Sequence, residues 1–185
     1  MKKKLLLHIC CAPCTIIPLE KLSSEFDITG YFYNPNIHPY KEYQDRLQSV
    51  KRLAKERSMP LIIGKYPYQE YLQKAITFKE IKNPQRCRFC YETRLEKTFE
   101  TALQQNIPLV SSTLLYSKYQ HHDLILESIQ SLSHHFKELN FFYQDFRPWF
   151  YEGLEKARQN ALYMQKYCGC LFSNQERYEK HAKRE

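Results

Sequence analysis

A chain of 185 residues with a formal net charge of +8 is long enough to bury a full hydrophobic core as one domain, so no structural metal is needed to keep it folded. The basic excess points to acidic partners, nucleic acid first among them, and carries no information about fold. The apolar run Leu5-Leu6-Leu7 is broken by His8 far short of a secretory h-region, and nothing approaches a membrane span, so the expected setting is the cytoplasm with no membrane partner.

In chain order, residues 4–9 form a short apolar run bounded by turn signals and predict a buried strand. A helix over about 15–25 follows, entered through Pro13. Residues 28–33 predict a second strand. Two prolines and two asparagines exclude regular structure from Asn34-Pro35-Asn36-Ile37-His38-Pro39. Next come a long polar helix over 40–57, a third strand over 61–63 closed by Gly64, and a helix over 66–76. A polar loop containing Asn83-Pro84 leads to Cys87. The second half alternates in the same way. It predicts a helix over 93–105 ended by Asn106 and Pro108, a strand over 109–113, and a helix over 122–139 with apolar Leu124, Ile125, Ile129 and Leu132. A short strand over 141–143 and a helix over 152–166 follow. Ser173-Asn174-Gln175-Glu176 reads as a capping box opening a last, basic helix. The alternation predicts a single α/β domain over 1–185, a Rossmann-like parallel sheet with helices on both faces.

Seven cysteines stand in three groups: Cys10, Cys11 and Cys14; Cys87 and Cys90; Cys168 and Cys170. Groups so far apart in sequence meet only if the fold gathers them. Cys10 and Cys11 fall where the first strand ends, the edge at which such folds bind ligands. Cys11 and Cys14, like Cys87 and Cys90, are spaced to meet across one helical turn. Arg86 and Arg88 beside Cys87 favour thiolate, the metal-binding form. Gly169 lets Cys168 and Cys170 converge. An odd number of cysteines in a cytoplasmic chain argues against a disulfide framework. Seven exceed the four that one zinc or one 4Fe–4S cluster takes, which suggests two neighbouring metal centres. A zinc-stabilised RNA-binding module without catalysis and a thiol redox enzyme using Cys11 and Cys14 are the alternatives. Only four glycines are present, and none forms a Walker loop or dinucleotide fingerprint, so no nucleotide cofactor is expected.

The segment Leu7-His8-Ile9-Cys10-Cys11-Ala12-Pro13-Cys14 resembles the opening of the QueH-type epoxyqueuosine reductases. The resemblance continues through Tyr33 to Pro39 with Glu42, Tyr43 and Arg46, and through Cys87, Cys90, Arg94 and Leu95. It extends to Ser112-Thr113-Leu114-Leu115 with Tyr119-Gln120, to Asp145-Phe146-Arg147, and to Tyr167-Cys168-Gly169-Cys170 with Ser173. It implies an adenine-nucleotide α-hydrolase-like fold and reduction of epoxyqueuosine in tRNA to queuosine, using a 4Fe–4S cluster beside a second mononuclear iron. Lys118, Met164 and Pro148-Trp149 depart from the family pattern, and the departures bear on local substrate contacts. The expected division places Cys10, Cys11, Cys87 and Cys90 on the cluster and Cys14, Cys168 and Cys170 on the second iron. His8, Asp145, Tyr119 and Tyr167 are candidate proton donors. Expected partners are the tRNA anticodon loop and an electron-donor protein or reductant. Basic residues on the helix over 40–57 (Lys41, Arg46, Lys51, Arg52, Lys55, Arg57) and in the tail (Arg177, Lys180, Lys183, Arg184) are candidate backbone contacts.

Overall fold

The computed structural model describes residues 2–78 and 83–182. Five parallel strands form one sheet: β1 (Lys3–His8), β2 (Phe26–Phe32), β3 (Leu61–Ile63), β4 (Leu109–Ser112) and β5 (Asn140–Phe141), in the order β3-β2-β1-β4-β5. The central strand explains the apolar run at the start. Leu5, Leu6 and Leu7 are wholly buried, because a parallel strand is covered on both faces and has no polar side to show. The chain runs outward from β1 to β2 and β3, then returns to the other side for β4 and β5. The order therefore reverses between β1 and β4, and the carboxyl end of that gap is the fold's natural ligand crevice.

Among the described residues, seven α-helices flank the sheet: α1 (Ile16–Leu22), α2 (Tyr40–Glu56), α3 (Tyr68–Ala75), α4 (Asn83–Gln104), α5 (His122–His135), α6 (Phe150–Gln159) and α7 (Leu171–Ala182). α4 packs on β1, β4 and α5, while α1 packs on β2 and α6.

The boundaries differ from the sequence expectation where a local signal reads two ways. α4 begins at Asn83, ten residues before the expected start at 93, because Asn83-Pro84 opens the helix rather than a loop. A proline in a helix's first turn loses no hydrogen bond. Cys87 and Cys90 thereby lie on a helix. The rest of the loop expected there, residues 79–82, lies outside the described residues. α6 ends at Gln159 rather than 166. Ala161 takes a left-handed φ of 47°, Leu162 N–H reaches back to the Ala157 carbonyl at 3.0 Å, and Arg52 donates to the Asn160 and Ala161 carbonyls at 2.8 and 2.7 Å. These contacts satisfy the helix's last carbonyls and release the chain that follows. α5 stops at His135, before the expected 139. α7 starts at Leu171, and the Ser173 hydroxyl donates to the Cys170 carbonyl at 3.0 Å instead of opening a capping box.

Gly153 on α6 lies against Tyr116 and Ile17, where an added Cβ would stand 2.8 Å from Ile17 Cγ1 and 2.9 Å from Tyr116 Cζ. Gly153→Ala is expected to lower stability by about 1–3 kcal/mol, since overpacking outweighs the gain in helix propensity. Urea denaturation checks this; an unchanged midpoint would mean that α6 shifts freely on α1.

Candidate metal centre

At the carboxyl end of β1 the chain turns sharply. The Cys10 amide donates to Thr113 Oγ1 at 3.0 Å, tying the ends of β1 and β4 together. Thr15 Oγ1 donates to the Cys11 carbonyl at 2.8 Å and closes the turn. Cys10, Cys11 and Cys14 thus point inward together, with all three sulfurs within 4.8 Å of one another. Cys11 Sγ lies 2.7 Å from Cys14 Sγ and 3.8 Å from Cys10 Sγ.

The second group forms from two directions. α4 presents Cys87 and Cys90 one turn apart. The irregular segment after α6 brings in Cys168 and Cys170, whose sulfurs are 3.6 Å apart. Gly169 between them has a φ of +113°, which a side chain rarely tolerates, and a Cβ there would meet Ile37 Cγ1 at 3.0 Å. Ser173 Oγ lies 2.9 Å from Cys168 Sγ and 3.4 Å from Cys170 Sγ.

The segment carrying Cys168 and Cys170 is held by α2. Arg46, 2% exposed, donates to the Tyr167 and Cys168 carbonyls at 2.9 and 3.2 Å and to Glu42 Oε1 at 2.8 Å. Tyr163 donates to the other Glu42 oxygen at 2.6 Å. Tyr167 donates to the His38 carbonyl. Arg46 was a candidate nucleic-acid backbone contact; here it is a buried structural clamp.

Electrostatics link the thiols within each group. In the second, burial and the nearby Cys90 and Cys168 push Cys87 up to about 12. Burial also raises Cys90, with Arg94 opposing. The neighbouring Cys170 thiol lowers Cys168 to about 5, while Cys170 itself is raised by its bond to Cys168. In the first, Cys10 is lowered by its thiol neighbours Cys11 and Cys14, whereas burial raises Cys11 and the bonds to its neighbours raise Cys14. Each group therefore favours one thiolate and holds protons on the others. The expected activation of Cys87 by Arg86 and Arg88 does not prevail. The helix starts four residues earlier, Arg88 pairs with Glu127, and Arg86 is drawn 2.9 Å from Glu176.

Both groups open on one cavity of about 610 Å³, lined by Cys10, Cys14, Cys87, Cys90, Cys168 and Cys170, with Cys11 behind the wall. Cys10, Cys11 and Cys14 are the thiols with three sulfurs within 4.8 Å of one another among the described residues, while Cys87 and Cys90 lie near enough to Cys168 to feel its charge; the expected division instead set Cys14 with Cys168 and Cys170. Of the candidate proton donors, Tyr167 lines the cavity and Tyr119 lies at its edge, 76% exposed. His8 and Asp145 do not line it. His8 is fully buried, its Nδ1 3.0 Å from Ser112 Oγ and its Nε2 3.2 Å from the Tyr33 carbonyl. Burial pushes it down to about 4. A neutral ring joining the ends of β1, β2 and β4 is a structural tie. Asp145 is held by Arg147 through two bonds of 2.9 and 2.8 Å, which depress its carboxyl.

Several cavity residues escaped the sequence reading as site residues. Gln165 Nε2 donates to Cys11 Sγ at 2.9 Å and lies 3.6 Å from Cys14 Sγ. Its Oε1 and Asn36 Oδ1 are buried acceptors without a partner, and Arg86 Nε is a buried donor without one. Arg94, 4% exposed, donates through Nε to the Cys90 carbonyl at 3.0 Å and has no carboxylate within ion-pair reach among the described residues. Gathered thiols, a buried cation and open polar atoms fit anionic metal–thiolate groups. A glutamine in irregular chain carries no motif, so only contact reveals it.

A parallel sheet of this order with thiol groups gathered at its carboxyl edge defines a Rossmann-like, metal-binding α/β protein. Residues 5–176 match the family profile described as "Epoxyqueuosine reductase QueH", and the chain belongs to that family. It is 36% identical over 186 residues to the Dehalococcoides mccartyi epoxyqueuosine reductase QueH, covering 97% of each. It is 33% identical to the Thermotoga maritima protein of the same name, covering 96% of this chain and 93% of that one, and 36% identical to the Haemophilus influenzae one, covering 92% and 71%. The U34-tRNA thiolase NcsA from Methanococcus maripaludis, solved with its [4Fe-4S] cluster, shares the fold with a TM-score of 0.60. It is 13% identical, with 93% of this chain and 61% of that one covered. Among the described residues no helix is long and apolar enough to cross a membrane.

Since burial and thiol contacts hold protons on most of the thiols without metal, metal loading must release them. Cobalt titrated into the metal-free protein under anaerobic conditions is expected to bind more tightly as pH rises from about 6 to 8, followed by the thiolate charge-transfer band. A pH-independent affinity would exclude thiolate ligation. Arg46→Met should cost about 3–5 kcal/mol, because it leaves Glu42 buried without its partner. It should also lower metal uptake by the group of 87, 90, 168 and 170; unaltered stability and uptake would refute the clamp.

Proposed function

We propose that this chain reduces epoxyqueuosine in tRNA to queuosine. The observation that carries the reading is the convergence of two thiol groups on one cavity at the sheet's switch point. Opening the epoxide to an alkene takes two electrons and two protons and releases water. The four thiols of Cys87, Cys90, Cys168 and Cys170 match the ligand count of a 4Fe–4S cluster. Cys10, Cys11 and Cys14 would hold the second iron with three sulfurs. What the two groups would supply is electrons, one at a time, and a Lewis-acidic position for the epoxide oxygen.

The chain's own residues do the rest. Gln165 holds the Cys11 sulfur with its amide N–H and leaves its oxygen for a donor on the substrate. Asn36 Oδ1 offers a second acceptor. Arg94 offsets negative charge between Cys90 and Cys10. Tyr167, the candidate donor within the wall, keeps its proton at neutral pH, since burial raises its phenol. It yields that proton to a basic leaving oxygen only by releasing the His38 carbonyl to which it donates. The base reaches the thiols after leaving its stack, as an anticodon-loop nucleotide can do at low cost. Electrons come from an outside reductant or donor protein, in the cytoplasm, where thiols stay reduced.

Anaerobic reconstitution followed by iron, sulfide and zinc counts tests the reading, with product measured by mass after nuclease digestion. Bound iron and sulfide with conversion of the modified base are expected; stoichiometric zinc without sulfide would favour a non-catalytic RNA-binding module. Cys168→Ala with Cys170→Ala should remove sulfide-bound iron and abolish turnover. Cys10→Ala with Cys14→Ala should remove the second iron while leaving sulfide in place. Normal turnover in either variant would sink the assignment.

A further inference from the structure

Tyr119 and Tyr151 are the most exposed large hydrophobic side chains among the described residues, at 76% and 71%. They are not scattered. The Tyr119 ring meets Phe150 edge-on at 5.5 Å, and Phe150 meets Tyr151 edge-on at 5.5 Å. Lys118 Nζ stands 4.0 Å from the Tyr151 ring centre, 5.0 Å from Phe150 and 5.7 Å from Tyr119, and bonds the Tyr151 hydroxyl. Tyr119 and Phe150 line the cavity, so the aromatic run leads from its wall onto the surface. Folding gains little from rings this exposed.

Positive charge without an acidic partner lies beside these rings: Lys118 and, on the cavity wall, Lys166 have no carboxylate within ion-pair reach among the described residues. Near in the chain, Asp145, Glu152 and Glu155 are held by Arg147, Lys156 and Arg158 at 2.8, 2.8 and 3.6 Å, and Asp123, four residues from Tyr119, is an acidic neighbour with no ion-pair partner among the described residues. On the basic helix α2, expected to contact backbone phosphates, Lys41 pairs with Asp45, Arg46 with Glu42 and Arg52 with Glu56 at 3.6 Å, and Arg57 just past its end reaches Glu20 on α1 at 3.9 Å, which leaves Lys51 and Lys55 as its unpaired cations among the described residues. Beside the cavity, a lysine without a carboxylate partner lies against two largely exposed aromatic rings. A partner that offers flat rings and negative charge at once is unpaired RNA, which such surfaces bind by stacking on aromatics and by phosphate contact.

We propose that Tyr119 and Tyr151, bridged by Lys118 and backed by Phe150, form a stacking platform for unpaired nucleotides next to the base that enters the cavity. The proposal rests on the reductase reading for the identity of the RNA, and it gives Tyr119 a binding role in place of proton donation. Exposed bases of a hairpin loop stack on the two rings, while Lys118 holds a flanking phosphate.

The test is fluorescence anisotropy of the iron-loaded protein with a labelled RNA hairpin carrying an unmodified loop, against a duplex of equal length. The hairpin should bind more tightly than the duplex. Tyr119→Ala with Tyr151→Ala should weaken hairpin binding by about 10-fold or more, leaving duplex binding, iron content and melting temperature unchanged. Tyr119→Phe with Tyr151→Phe should bind as wild type. Lys118→Ala should reduce the slope of log affinity against log salt by about 1. With modified tRNA, the alanine pair should raise KM and spare kcat. Wild-type hairpin affinity in the alanine pair overturns the platform, as does an equal loss in the phenylalanine pair. If the alanine pair keeps hairpin affinity but loses only turnover driven by a protein donor, the patch is a protein-docking surface and the proposal falls. Hairpin binding with this pattern but no epoxyqueuosine reduction would sink the reductase reading and leave the platform standing.

Discussion

The buried Arg46 guanidinium is the contact on which the site depends. It joins two separate pieces of chain: Glu42 on its own helix, and the carbonyls of Tyr167 and Cys168 from a segment with no regular structure. Without a helix or strand to fix it, that segment is placed only by such bonds. A buried charge is costly unless it is paired and hydrogen-bonded, and here one carboxylate and two carbonyls take a bond from each guanidinium nitrogen. The Tyr163 hydroxyl on Glu42 and the Tyr167 hydroxyl on the His38 carbonyl complete the set. The ion pair contributes less as stability than as placement. It brings Cys168 and Cys170 to Cys87 and Cys90.

A second constraint acts at the sheet edge. His8 joins β1 to the ends of its two neighbours while fully buried, and Cys10 reaches Thr113 through its amide. The strand ends are thereby locked just where the first thiol group begins. Nucleotide-binding relatives of this architecture place glycine there, to let phosphate approach backbone N–H groups. This chain places sulfur there instead. Burial and mutual thiol contacts hold protons on most of the sulfurs, and Arg46 and Arg94 stand ready to offset charge when those protons leave. Asn36 and Gln165, each with a buried acceptor that lacks a partner, belong to the same cavity wall as the thiols.

How much of this could be read beforehand differs from part to part. The strands were legible because a parallel strand covered on both faces is a plain apolar run. The crevice followed from where the first run ends. The start of α4 was not legible, since Asn-Pro opens a helix as readily as a loop, and the choice depends on what packs below. Nor was the end of α6, set by Arg52 from α2 reaching across to its last carbonyls. The capping box at Ser173 failed because the serine serves the cysteines beside it. His8, Asp145, Tyr119 and Tyr167 were chosen by type, and type is silent about direction. One is a buried tie, one is locked to Arg147, one stands at the edge and one is in the wall.

By itself, the sequence determined the parallel α/β class, the position of the crevice and the membership of the thiol set. Local pattern and residue chemistry suffice for those. Which thiols stand together, that Arg46 is a clamp rather than a surface charge, and that Gln165 touches sulfur were decided only by tertiary structure. Each of those contacts joins residues far apart in the chain or set on opposite sides of an irregular turn, where no periodicity carries across.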